Sequence, residues 1–118
     1  MLIAKQLAPT SYSLLPVSVI SVPLLTAGAI LRRCRLLLAN DSGLMHLAAA
    51  VGVATFAIFG PTDERATGPR GVNSHVIRAP GTKPVYDTER NFDLGQEAHT
   101  TMLAVSARMV LDDLRKYI

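Results

Sequence analysis

The 118-residue sequence is 49% hydrophobic and 18% charged, which is too apolar for a disordered chain and long enough for one domain with a modest core but not two. Its formal charge of +3, from 12 Lys and Arg against 9 Asp and Glu, is scattered rather than gathered into a basic stripe. That argues against nucleic acid as a partner and suits an anionic small ligand or membrane headgroups. A single cysteine, Cys34, excludes an internal disulfide, no Cys/His cluster stands at metal spacing, and the reducing cytoplasm is the simplest home.

Residues 1–13 show no clear period. From Leu7 to Leu31 no side chain is charged, a length that fits a membrane span or a signal peptide. Pro9, Pro16 and Pro23 interrupt helical continuity, and Thr10, Ser11, Ser13, Ser18, Ser21 and Thr26 dilute the apolar run. The favoured expectation is a buried strand near Val17 to Val22 and then a helix from Leu24 to Arg33. In that helix Leu24, Ala27, Ile30 and Leu31 recur at helical spacing and basic residues collect at the end.

Leu36 to Ala39 is a continuous apolar run ending in Asn40-Asp41-Ser42-Gly43, which reads as a strand buried on both faces that runs into a tight turn. Met45 to Val51 is Ala-rich and stops at Gly52, as a helix followed by a terminal glycine does. Val53 to Phe59 is again apolar, closed by Gly60-Pro61. Strand, helix and strand in close succession make a βαβ unit, hence a parallel sheet covered by helices. Thr62 to Asn73 reads as a surface loop, Ser74 to Arg78 as a short strand, and Pro80 to Gly95 as irregular and mobile. Met102, Val105, Met109, Val110 and Leu114 mark one amphipathic closing helix from Thr101 onward.

The chemistry concentrates in Asn40-Asp41-Ser42-Gly43-Leu44-Met45-His46-Leu47-Ala48. In open α/β sheets ligands sit at the carboxyl ends of strands. Asp41 or Ser42 can cap the following helix, and Gly43 admits a ligand close to the backbone. Free amides of the first turn then favour a phosphate. Asp41 can accept hydrogen bonds from sugar hydroxyls, and a protonated His46 can bond a phosphate. The pattern is neither GxGxxG nor GxxxxGK[ST], so the dinucleotide and NTPase fingerprints do not apply. The competing account is plain structure: Asp and Ser are ordinary N-caps, and a lone helical His is more often a packing residue.

The run from Asn40 to Val53, continuing as Thr55-Phe56-Ala57-Ile58-Phe59-Gly60-Pro61-Thr62-Asp63, resembles the NDSGxMHLAAAxG…FGPT signature of the ADP-heptose:lipopolysaccharide heptosyltransferases, glycosyltransferase family 9. The resemblance covers about Leu24 to Ile118 and is densest from Leu36 to Gly71, where Gly68-Pro69-Arg70-Gly71 continues it. It implies an α/β fold, a partial Rossmann-like parallel sheet with flanking helices, forming the C-terminal, donor-binding part of a GT-B glycosyltransferase. In that division residues 24–118 are the donor-binding part-domain and residues 1–23 a separate N-terminal segment. By the same resemblance Asp41 binds donor sugar hydroxyls, the amides near Ser42 and Gly43 face the diphosphate, and His46 sits beside them. Gly60, Pro61 and Thr62 shape the next strand-end loop, although Thr62 reads equally well as a turn residue.

The implied partners are an ADP-heptose-like nucleotide-sugar and a lipid A-core or other glycan acceptor, with no nucleic acid, no cofactor and no structural metal. The implied place is the cytoplasm or the inner membrane face. The general base and the phosphate-clamping residues of such an enzyme are not found in this sequence, so the isolated chain is expected to bind donor weakly and not to transfer sugar. Its uncovered sheet edge is expected to self-associate or to pair with a missing N-terminal half. The rival expectation is a non-catalytic nucleotide-binding or oligomerising half-domain, membrane-anchored if the uncharged run inserts. Cys34, His75 and His99 receive no role, and Asp63, Glu64, Arg65 and Arg70 could contact donor or acceptor but read more readily as a solvated loop.

Overall fold

A computed structural model describes residues 18–85 and 95–118. Helix α1 (Leu24–Leu31) leads to strand β1 (Leu36–Asn40), helix α2 (Gly43–Ala50), strand β2 (Ala54–Phe59) and short helix α3 (Glu64–Thr67). Strand β3 (Ser74–Arg78) follows, then helices α4 (Gly95–Leu103) and α5 (Ala107–Tyr117). The strands form one parallel sheet in the order β1-β2-β3, a partial Rossmann-like arrangement with helices on its faces.

The pleat divides the strand residues between two helical layers. On one face Ala39, Ala57 and Phe59 close over the fully buried Met45 of α2, and Leu37 meets Leu31, Leu47 and Ala48 of α1 and α2. On the other, Ala54, Phe56 and Ile77 pack under Val110 and Leu114 of α5. β2 is central and almost wholly buried, as its continuous apolar sequence requires. α2 ends at Gly52, whose φ of +83° is easy only for glycine.

Four expectations change. Residues 18–23 form no strand and are exposed. Their β-branched side chains favour an extended backbone, but no strand among the described residues pairs with them; Val17 lies outside the described residues. β1 is not buried on both faces: among the described residues it is an edge strand, and with α5 lying over β2 and β3 its Leu38 is 41% exposed. The loop after β2 contains α3, because Asp63 accepts a hydrogen bond from the Arg65 amide at 3.0 Å and caps a turn.

The single closing helix is two. Ser106 adopts an extended backbone and its hydroxyl accepts from the Met109 amide at 3.3 Å, so a new N-cap interrupts the helical spacing between Val105 and Met109. Among the described residues no helix is long and apolar enough to cross a membrane; Leu7 to Val17 of the uncharged run, and residues 86–94 of the stretch read as irregular, lie outside them.

Candidate functional site at the carboxyl ends of the strands

The three parallel strands end together. Asn40 pairs in register with Ile58, and Phe59 with Arg78, so Asp41, Gly60 and Arg78 stand at one end of the sheet. From there α2 begins. Ser42 holds the N-cap position with an extended backbone, yet its hydroxyl makes no capping hydrogen bond. The opening amides of α2 therefore lack the usual side-chain partner. A Cβ built on the exposed Gly43 meets nothing within 4 Å. Packing does not require this glycine, and the space above it is open.

Asp41 is not a cap either. Its Oδ2 accepts a hydrogen bond of 2.7 Å from the Thr67 hydroxyl, which ties the turn after β1 to the end of α3. That hydroxyl also lies 3.2 Å from the Asp63 carbonyl, but it carries one proton and the shorter contact to a carboxylate takes it. The second Asp41 oxygen has no protein partner among the described residues. His46 lies exposed three positions beyond Gly43, directly after the buried Met45, and likewise has no partner among them.

The loop after β2 is fixed from the other side. The Arg78 guanidinium donates to Glu64 through Nε (3.0 Å to Oε2) and Nη2 (2.6 Å), and to the carbonyls of Gly60 and Thr62. Hydrogen bonding from Arg78 holds the Glu64 carboxyl below the usual carboxylate range. The Arg65 side chain does the same for Asp63, on the exposed side of the loop. The Val85 amide adds a bond of 2.9 Å to the Pro61 carbonyl. Gly60 is buried, and a Cβ there would come within 3.0 Å of the Met102 Cα. Its missing side chain serves the crossing of α4.

The residues expected at the site thus fall into two groups at one end of the sheet: Asp41, Ser42, Gly43 and His46 after β1, and Gly60, Pro61 and Thr62 after β2. Thr67 joins the groups through Asp41. Thr67, Glu64 and Arg78 were not recognised as site-forming in the sequence. A carboxyl-terminal Arg on a strand is a weak signal for Arg78, and Thr67 offers none. Elsewhere a hollow of about 550 Å³ lies toward the amino ends of β2 and β3, lined by Ser74, His75, Lys116 and Tyr117 among others. There His75 stacks on Phe56 at 4.6 Å, with Tyr117 edge-on to both rings, so His75 is a packing residue.

Parallel strands, a turn into a helix start that lacks a side-chain cap, and a carboxylate beside it define an α/β protein with polar groups gathered at the carboxyl ends of its strands. The chain belongs to glycosyltransferase family 9 (heptosyltransferase), whose family model matches residues 3–98. It is 32% identical over 85 residues to lipopolysaccharide heptosyltransferase 2 of Salmonella typhimurium, covering 72% of this chain and 24% of that protein. Identity to the protein of that name from Escherichia coli is 32% over 81 residues, covering 69% and 22%. For lipooligosaccharide heptosyltransferase 2 of Haemophilus influenzae it is 29% over 89 residues, covering 75% and 25%. The chain spans about a quarter of the length of these relatives. No solved structure matches it. The family match takes in residues 3–23, which the motif-based resemblance left aside, and stops short of α5.

Proposed function

We propose that this chain carries the nucleotide-sugar donor site of a heptosyltransferase-type GT-B glycosyltransferase, as the C-terminal part of its donor-binding domain. The diphosphate of an ADP-heptose-like donor lies over Gly43, against the free amides at the start of α2, with His46 beside it. The free oxygen of Asp41 accepts from the donor sugar, and Gly60-Pro61-Thr62 forms the adjoining wall. The intact enzyme transfers the sugar to a lipopolysaccharide-type or other glycan hydroxyl, in the cytoplasm or at the inner membrane face. The chain alone binds donor weakly and does not transfer it, because the acidic base for the acceptor hydroxyl comes from outside the residues of this site.

The observation that carries this reading is the open space above Gly43 beside a half-satisfied Asp41. Calorimetric titration with ADP, UDP and an ADP-sugar tests it. Gly43→Val is expected to abolish nucleotide binding while leaving the melting temperature nearly unchanged, because a Cβ there meets open space and helix propensity does not penalise valine against glycine. Asp41→Ala is expected to weaken only the ADP-sugar. Equal binding of ADP to wild type and Gly43→Val sinks the assignment.

The second reading, an associating half-domain, is favoured by the exposure of Leu24 (65%), Leu25 (89%) and Leu38 (41%), and by the outer edge of β1, to which no strand among the described residues is paired. Both properties fit one chain.

A further inference from the structure

Helix α3 is one turn long, yet it joins the first and third strands of the sheet. At its start Glu64 is held by Arg78, the last residue of β3, whose Nε and Nη2 lie 3.0 Å and 2.6 Å from Oε2. At its end the Thr67 hydroxyl donates to Asp41, the first residue after β1, at 2.7 Å. β2 runs between the strands so joined, which sets them about 10 Å apart at ordinary interstrand spacing. A single helical turn, about 6 Å long, covers that distance with one side-chain contact at each end.

The turn is closed, so its two ends move together. The Ala66 and Thr67 amides both donate to the Asp63 carbonyl at 3.0 Å, and the Gly68 amide donates to the Glu64 carbonyl at 2.8 Å. A Cβ on the buried Gly68 would run into that same Glu64 oxygen, so the chain leaves α3 by a path that only glycine takes. The Arg78 side chain is only 12% exposed and its planar fork also holds the carbonyls of Gly60 and Thr62. Glu64 is therefore the anchored end of the turn and Thr67 the end that it delivers. Apart from Thr67, the Asp41 carboxylate has no protein partner among the described residues.

We propose that Glu64, anchored by Arg78, is a positioning residue for Asp41, acting through α3 and the Thr67 hydroxyl. Neither Glu64 nor Arg78 hydrogen-bonds to Asp41: the contacts of Arg78 go to Glu64, Gly60 and Thr62. The functional half of the inference rests on the reading of the strand ends as a nucleotide-sugar site, where the free Asp41 oxygen meets the donor sugar.

The test compares Glu64→Ala, Thr67→Val and the double variant in the full chain, each checked to be folded by its melting curve. Without ligand, Thr67→Val shifts the side-chain carboxyl carbon resonance of Asp41 in the NMR spectrum. Glu64→Ala is expected to shift it the same way, with no further shift in the double variant. In calorimetry each variant is expected to bind an ADP-sugar about tenfold more weakly than wild type and ADP equally well, since Arg78 keeps its hold on Gly60 and Thr62. The double variant binds the ADP-sugar no more weakly than Thr67→Val alone, because residues acting along one path are not additive. Glu64→Gln, which keeps a neutral acceptor for the guanidinium, falls between wild type and Glu64→Ala. An Asp41 resonance unmoved by Glu64→Ala, or losses that add in the double variant, makes Glu64 merely structural and overturns the inference. If the resonances move as expected while the ADP-sugar binds every variant, Asp41→Ala included, like the wild type, the positioning stands and the donor-site reading fails. Should Glu64→Ala not fold, Gly68→Ala breaks the turn at its other end, and the same outcomes apply.

Discussion

Asp41 is held by a hydroxyl delivered from 26 positions further along the chain, and this sets what the carboxylate can do. One oxygen is occupied and oriented by Thr67, leaving the other for a ligand. Thr67→Val removes the hydroxyl at nearly constant volume, and the loss of a half-exposed hydrogen bond costs about 1 kcal/mol of stability. The larger effect is expected on binding: affinity for an ADP-sugar falls about tenfold while affinity for ADP is unchanged, as calorimetry would show. An equal loss for both ligands would place Asp41 on the nucleotide instead.

Glu64 supplies a pH dependence of known sign. Its carboxyl is lowered in the folded chain by hydrogen bonding from Arg78, so the pair stabilises the fold fully above the usual carboxylate range. That contribution disappears as pH falls through the lowered value. Glu64→Gln is therefore expected to be less stable than wild type near neutrality and to approach it at acid pH, with a flatter urea midpoint against pH. Asp63 is shifted the same way by Arg65, but that arginine is 84% exposed and solvent screens the pair.

At the scale of elements, spacing proved a good guide where one element fills one period and a poor guide where local hydrogen bonds compete. β2, β3 and α2 were legible because apolar runs, Gly52 and Gly60-Pro61 mark their ends. The break between α4 and α5 was hidden because Met102, Val105 and Met109 keep helical spacing across it, while Ser106 takes the cap. Ser106→Ala is expected to cost about 1 kcal/mol in denaturant unfolding. Gly60→Ala is expected to cost about 1–3 kcal/mol by overpacking, because the new methyl meets the Met102 backbone, which cannot rotate away. The motif containing Asp41 and Gly43 was visible in the sequence as a strand running into a helix. The partner that orients Asp41 was not, because Thr67 reaches it through a tertiary contact that no local pattern encodes, just as Arg78 reaches Gly60, Thr62 and Glu64 in the next loop.

At the scale of the molecule, this parallel sheet has a bare flank among the described residues. Parallel sheets are normally covered on both faces and continued at their edges, yet β1 leaves Leu38 on an uncovered face, and α1 presents Leu24 and Leu25 to solvent. The relatives are about four times as long as the matched segment. In a longer protein such a surface is where further strands and helices pack. In the isolated chain the same surface is expected to drive self-association, with backbone groups of β1 pairing with a second copy. Sedimentation equilibrium would then give a mass above the monomer that rises with concentration. Leu38→Lys places a charge on the edge strand and Leu25→Lys breaks the apolar patch. Both sites are exposed, so the double variant is expected to become monomeric without a lower melting temperature. A wild type that stays monomeric would show that the edge of β1 is protected within this chain. A double variant that unfolds would show that Leu25 and Leu38 belong to the core.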